Sequence, residues 1–114
     1  MKIMRILGAV VLTAALAGCT LSEKQYEEYR IVFKKHPEAR SKYTAICVKE
    51  TKKMSRDEIE LLAELLDIKL ANFPVTACRR YFDAYVSGRL TYADYKSVMQ
   101  KRPTARVVRI FKNK

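Results

Sequence analysis

Residues 55–70 read Ser55-Arg56-Asp57-Glu58-Ile59-Glu60-Leu61-Leu62-Ala63-Glu64-Leu65-Leu66-Asp67-Ile68-Lys69-Leu70. Ser55 with Glu58 three residues on is the pattern of a capping box, and Asp57 and Glu58 suit the positive end of a helix dipole. Ile59, Leu62, Leu66 and Leu70 then recur at helical spacing, while Leu61, Leu65 and Ile68 broaden the apolar face. The spacing predicts a helix over 56–71. A stripe this wide fits a central helix touching more than one neighbour. It also fits a partner-binding surface, but a short chain with little apolar material needs such a stripe for its core.

The same periodicity extends in both directions. Upstream, Ser22 and Gln25 form a second capping-box pattern, and Tyr26, Tyr29 and Phe33 share one face of a helix over 22–35. The helix should end before Pro37, because a residue preceding proline disfavours the helical region. Pro37 suits a first helical position, so another helix is expected over 38–53, with Tyr43, Ile46 and Cys47 on its apolar face. Downstream, Val75, Cys78, Phe82 and Tyr85 line a helix over 75–87, with Gly88 placed to adopt the left-handed conformation behind it. Thr91 with Asp94 opens a fifth helix over 92–101, with Tyr92, Tyr95 and Met99 facing inward. Strand-type alternation is almost absent. The expected fold is therefore all-α, a small bundle of about five helices over 22–102. Residues 103–114 mix basic and apolar side chains and leave three conformations open: a short strand, a membrane-touching segment, or a solvated and mobile end.

The first 18 residues differ from the rest. Lys2 and Arg5 precede an apolar run from Ile6 to Leu16, and Ala17 and Gly18 close it. That is the layout of a secretory signal, too short and too soon followed by charge to span a membrane. Leu16-Ala17-Gly18-Cys19 resembles the lipobox of bacterial lipoproteins. The resemblance implies a diacylglyceryl thioether on Cys19, cleavage before it, and a lipidated amino terminus with a short tether over 19–21. This covalent lipid is the only prosthetic group expected. One acyl chain binds a membrane marginally, whereas two or three hold firmly. Thr20 stands where Asp would signal inner-membrane retention in enteric bacteria, which favours the outer membrane.

The chain has three cysteines. Lipidation of Cys19 leaves Cys47 and Cys78, and the compartment beyond the inner membrane is oxidising, so the two are expected to form a disulfide. Two separate buried thiols are the alternative. A metal site is a poor reading for two distant cysteines and a single histidine, His36. A bridge would pin the second helix to the fourth, with the third packed across the loop.

Charge bounds the partners. The chain carries 23 Lys and Arg against 12 Asp and Glu, and removal of Lys2 and Arg5 with the leader still leaves 21 against 12, an excess of nine. Lys101, Arg102, Arg106, Arg109, Lys112 and Lys114 concentrate that excess near the end and are candidate contacts to anionic lipid or lipopolysaccharide. Another envelope protein is the remaining partner class. Export argues against nucleic acid. Catalysis finds no constellation: His36 lies at a helix end with no nucleophile placed by the sequence, and Asp57, Glu58, Glu60 and Glu64 read as a cap and a solvated face. Of the seven tyrosines (the chain has no tryptophan), Tyr26, Tyr29, Tyr81, Tyr85, Tyr92 and Tyr95 fit core edges with their hydroxyls in water, or a binding platform.

His36-Pro37-Glu38, Cys47, Cys78-Arg79-Arg80 and the run Ser87-Gly88-Arg89-Leu90-Thr91-Tyr92-Ala93-Asp94-Tyr95 resemble small exported proteins of alphaproteobacteria. In size, lipobox and cysteine pair the chain also resembles entry-exclusion lipoproteins of conjugative systems. The residues and these resemblances together imply a non-enzymatic, lipid-anchored binding or scaffolding module of the cell envelope. The alternative is an exclusion-type or secretion-accessory lipoprotein acting by protein contact on a transport machine.

Overall fold

The structure, a computed structural model, describes residues 21–112, and Cys19 and Lys114 lie outside them. The described residues form six α-helices and no strand: α1 Glu23–Lys35, α2 Pro37–Thr51, α3 Arg56–Leu66, α4 Phe73–Ser87, α5 Tyr92–Met99 and α6 Ala105–Phe111, with a 3₁₀ turn over Leu70–Asn72 before α4.

The ends are set by local chemistry. Ser22 Oγ accepts from the Gln25 N–H at 3.1 Å while Gln25 Oε1 accepts from the Ser22 N–H at 3.0 Å, closing the box that starts α1. Thr91 and Asp94 repeat the arrangement for α5. Pro37 opens α2 without a side-chain cap, its missing N–H being one that no helix would use. Gly88 at φ 85° ends α4 in the left-handed region, where a side chain would be strained.

The third helix is shorter than its hydrophobic period. It stops at Leu66 because Asp67 turns left-handed at φ 56°, and the Ile68 N–H reaches back to the Ala63 carbonyl at 2.9 Å. This places Ile68 in the core and takes Leu70 off the helix altogether. Nor is α3 central. It packs on α6 and the 3₁₀ turn, leaving Leu61 68% and Leu65 44% exposed. The broad stripe is therefore split, with Ala63 and Leu66 inside and Leu61 and Leu65 in water. The central element is α4, which packs on α1, α2, α6 and the 3₁₀ turn. It begins two residues before its expected start, with Phe73 buried and Val75 half-exposed, while Cys78 and Tyr85 of the expected face are buried and Phe82 packs against the first core.

Residues 103–114 also resolve differently from a loose basic end. Thr104 Oγ1 caps α6 by accepting the Val107 N–H at 3.1 Å, and Val107, Ile110 and Phe111 are buried. The described part of this segment is a sixth helix of the bundle.

Two cores result. Leu21, Tyr26, Ala84, Tyr85, Leu90, Tyr95 and Ile110 form the first. Ala63, Leu66, Ile68, Phe73, Val107 and Phe111 form the second. Tyr81 packs against both, its ring stacked on Phe111 with centroids 6.2 Å apart. Cys47 on α2 and Cys78 on α4 are joined, their Cα atoms 5.9 Å apart, so the covalent link runs between the second and fourth helices, as the cysteine count leads one to expect.

Candidate functional site

Two features stand out from the helical scaffold. The first is at Leu21, the first described residue. α5 carries Tyr92 and Tyr95 on one face, three residues apart, directed at the residue before the Ser22 cap. Tyr95 Oη accepts the Leu21 N–H at 3.0 Å, and the Tyr92 hydroxyl donates to the Leu21 carbonyl at 2.7 Å. Both backbone polar groups of one residue are thus held by side chains more than seventy positions away. The Leu21 side chain is 7% exposed and belongs to the first core.

Around this clamp the tyrosines form a hydrogen-bonded cluster. The Tyr26 ring lies 4.6 Å from that of Tyr85, 4.9 Å from that of Tyr95 and 5.6 Å from that of Tyr92, centroid to centroid. Tyr26 donates to the Leu90 carbonyl at 2.5 Å and Tyr85 donates to the Tyr26 carbonyl at 2.6 Å. These hydroxyls are therefore spent on backbone carbonyls and not on water, which corrects the reading of core edges with wetted tips. Burial pushes the Tyr26, Tyr81 and Tyr85 hydroxyls well above the ordinary tyrosine range, and neighbouring tyrosines push further. Burial raises Tyr95 too, opposed in part by the hydrogen bond from Leu21. Lys96, one turn on from Tyr92, holds its Nζ 5.8 Å from the centre of that ring.

The second feature is an open depression of about 360 Å³ beside α4, lined by Arg79, Arg80, Asp83, Ser87 and Arg89, with Ala84 and Ile110 at its apolar side. Arg79 and Asp83 stand one turn apart on α4. Arg80 donates to the Phe111 carbonyl at 2.6 Å, so it also closes the carboxyl end of α6. Arginines bordering one hollow suit a phosphate or carboxylate, with Asp83 offsetting part of the charge and Arg80 already bonded to the Phe111 carbonyl.

The cations expected to form a terminal anionic contact do not act as one group. Arg106 is tied inward: its Nε lies 3.2 Å from Asp94 Oδ2 and its Nη2 donates to the Arg89 carbonyl. Asp94, 6% exposed, thereby serves the α5 capping box and the docking of α6 together. Lys101, Arg102 and Arg109 are exposed, and Lys112 is half-buried at the end of α6. Sequence reasoning met Arg79, Arg80 and Arg89 only through a resemblance, named none of them as a site residue, and missed Asp83. The missed signal was the four- and ten-residue spacing of Asp83 and Arg89 from Arg79, which places them together only once Gly88 turns the chain back.

His36 is exposed, with Nδ1 3.3 Å from Glu38 Oε1. Among the described residues no three His, Cys, Asp or Glu side chains converge as a metal would require. No helix among them is long and apolar enough to cross a membrane. The chain matches no protein family, no curated protein and no solved structure.

Proposed function

We propose that the chain is the precursor of a lipid-anchored envelope protein. Cleavage before Cys19 and lipidation of its thiol would leave a basic helical module that binds or scaffolds another envelope component without catalysis. The observation that carries this reading is the junction at Leu21. The lipobox Leu16-Ala17-Gly18-Cys19 ends two residues before Leu21, and both cores of the described residues are built from side chains that cleavage would leave in place. The Cys47–Cys78 link supports the same reading, since such a bridge persists in an oxidising compartment.

The positive surface supports an anionic partner at the membrane, either lipid headgroups, lipopolysaccharide or an acidic protein. Exposed Lys101, Arg102 and Arg109 and the arginine-lined depression supply its contacts. Outer-membrane residence accords with Thr20 after the lipidated cysteine.

The test is metabolic labelling of the full chain with palmitate in a Gram-negative host. The natural sequence takes up label and fractionates with membranes, whereas Cys19→Ser stays unlabelled and keeps residues 1–18. A natural chain that stays unlabelled and uncleaved overturns the proposal.

A further inference from the structure

We propose that the edge of the domain bearing Leu21, Tyr92 and Lys96 faces the phospholipid surface, so that the module lies against the bilayer in one orientation and does not swing on a tether. This rests on the lipid-anchor reading above. Three observations lead to it. Leu21 is immobilised at its N–H, its carbonyl and its side chain. Cys19 lies two residues away, and successive Cα atoms are about 3.8 Å apart, so the anchoring residue is confined to within roughly 7.6 Å of Leu21. A headgroup layer is about 5–8 Å deep on each side of the hydrocarbon, so a lipidated Cys19 brings Leu21 to the outer limit of that layer.

The charge of that edge suits the placement. Lys24 is exposed in the first turn of α1, three residues from Leu21, and exposed Lys96 stands over the Tyr92 ring whose hydroxyl holds the Leu21 carbonyl. Long lysine side chains can keep their charge among headgroups while their stems lie along the aromatic surface. Glu23 and Glu27 line the surface beside Tyr92 together with Arg30, which pairs with Glu27, so the acids moderate the charge of the edge without reversing it. α3 packs on α6 and the 3₁₀ turn and gives no residue to the core that holds Leu21, and in the proposed orientation its exposed Leu61 and Leu65 stay on the aqueous side.

The absence of tryptophan makes the test direct. The chain from Cys19 onward contains both cores and the disulfide, leaving Cys19 as the one free thiol for coupling to a maleimide lipid. It is displayed on vesicles of phosphatidylcholine and phosphatidylglycerol doped with headgroup spin-labelled lipid. Tryptophan fluorescence from Lys96→Trp and Lys24→Trp is expected to be quenched severalfold more than that from Leu61→Trp. A Gly/Ser spacer of about ten residues inserted between Cys19 and Leu21 should abolish the difference, because such a chain is a flexible coil. Equal quenching at the three positions, or indifference to the spacer, overturns the proposal. Because the lipid is attached chemically, these outcomes are independent of whether a host lipidates Cys19.

Discussion

Tyr95 Oη lies 3.0 Å from the backbone nitrogen of Leu21 and accepts its N–H, joining residues 74 positions apart. Tyr95→Phe keeps the ring against Tyr26 and removes the acceptor, leaving a buried N–H without a partner. An orphaned buried donor costs about 1–3 kcal/mol. In a domain of this size each kcal/mol lowers the melting temperature by roughly 4–8 °C. Tyr92→Phe removes a donor from a half-buried site and should cost less, about 1 kcal/mol. Thermal unfolding followed by circular dichroism orders the two, and amide exchange at Leu21 should accelerate in the Tyr95 variant.

The carboxyl-terminal helix is structural. Ile110→Ala removes a buried side chain from the first core and should destabilise by about 2–5 kcal/mol. A solvated tail would tolerate it within about 0.5 kcal/mol. Arg106→Ala should also destabilise, because Asp94 then stays buried without its cation. Urea midpoints of these variants separate a docked helix from a loose end.

Leu61→Glu and Leu65→Gln should each change stability by less than about 0.5 kcal/mol, because both leucines face water. Leu66→Ala, one residue further along α3, should cost about 2–5 kcal/mol. Denaturant unfolding of the three variants tests how the leucine stripe is divided.

Alkali should unfold the domain through its tyrosines. Tyr26, Tyr81, Tyr85 and Tyr95 all have hydroxyl pKa values raised above the unfolded value, chiefly by burial. Their contribution is complete below about pH 10, the unfolded tyrosine value, and falls as pH rises beyond it. Tyrosinate absorbance and helix content should therefore change together above that pH, with no comparable loss between neutrality and pH 10.

Much of the fold was legible because it is written in local chemistry. Ser22 with Gln25, Thr91 with Asp94, Pro37 and Gly88 each mark a helix end by a mechanism that operates within a few residues. The pairing of Cys47 with Cys78 followed from counting. The misreadings have a common origin in tertiary structure. Leu70 continues the period of α3, yet Asp67 breaks the helix by turning left-handed, which no spacing announces. Val107, Ile110 and Phe111 do stand at helical spacing, but the segment is short and rich in β-branched residues, and its burial depends on α3 and α4. Tyrosine spacing located Tyr92 and Tyr95 on one face. That their hydroxyls hold Leu21 requires two ends of the chain to meet. The arginine-lined depression likewise exists only after Gly88 folds Arg89 back toward Arg79 and Arg80.

Intact mass spectrometry of the chain isolated from native envelopes tests the central claim most directly. The account predicts a polypeptide beginning at Cys19, heavier by a diacylglyceryl group with or without an amide-linked acyl chain, and lighter by two hydrogens for the Cys47–Cys78 bond. A full-length, unacylated polypeptide with three free thiols would contradict it.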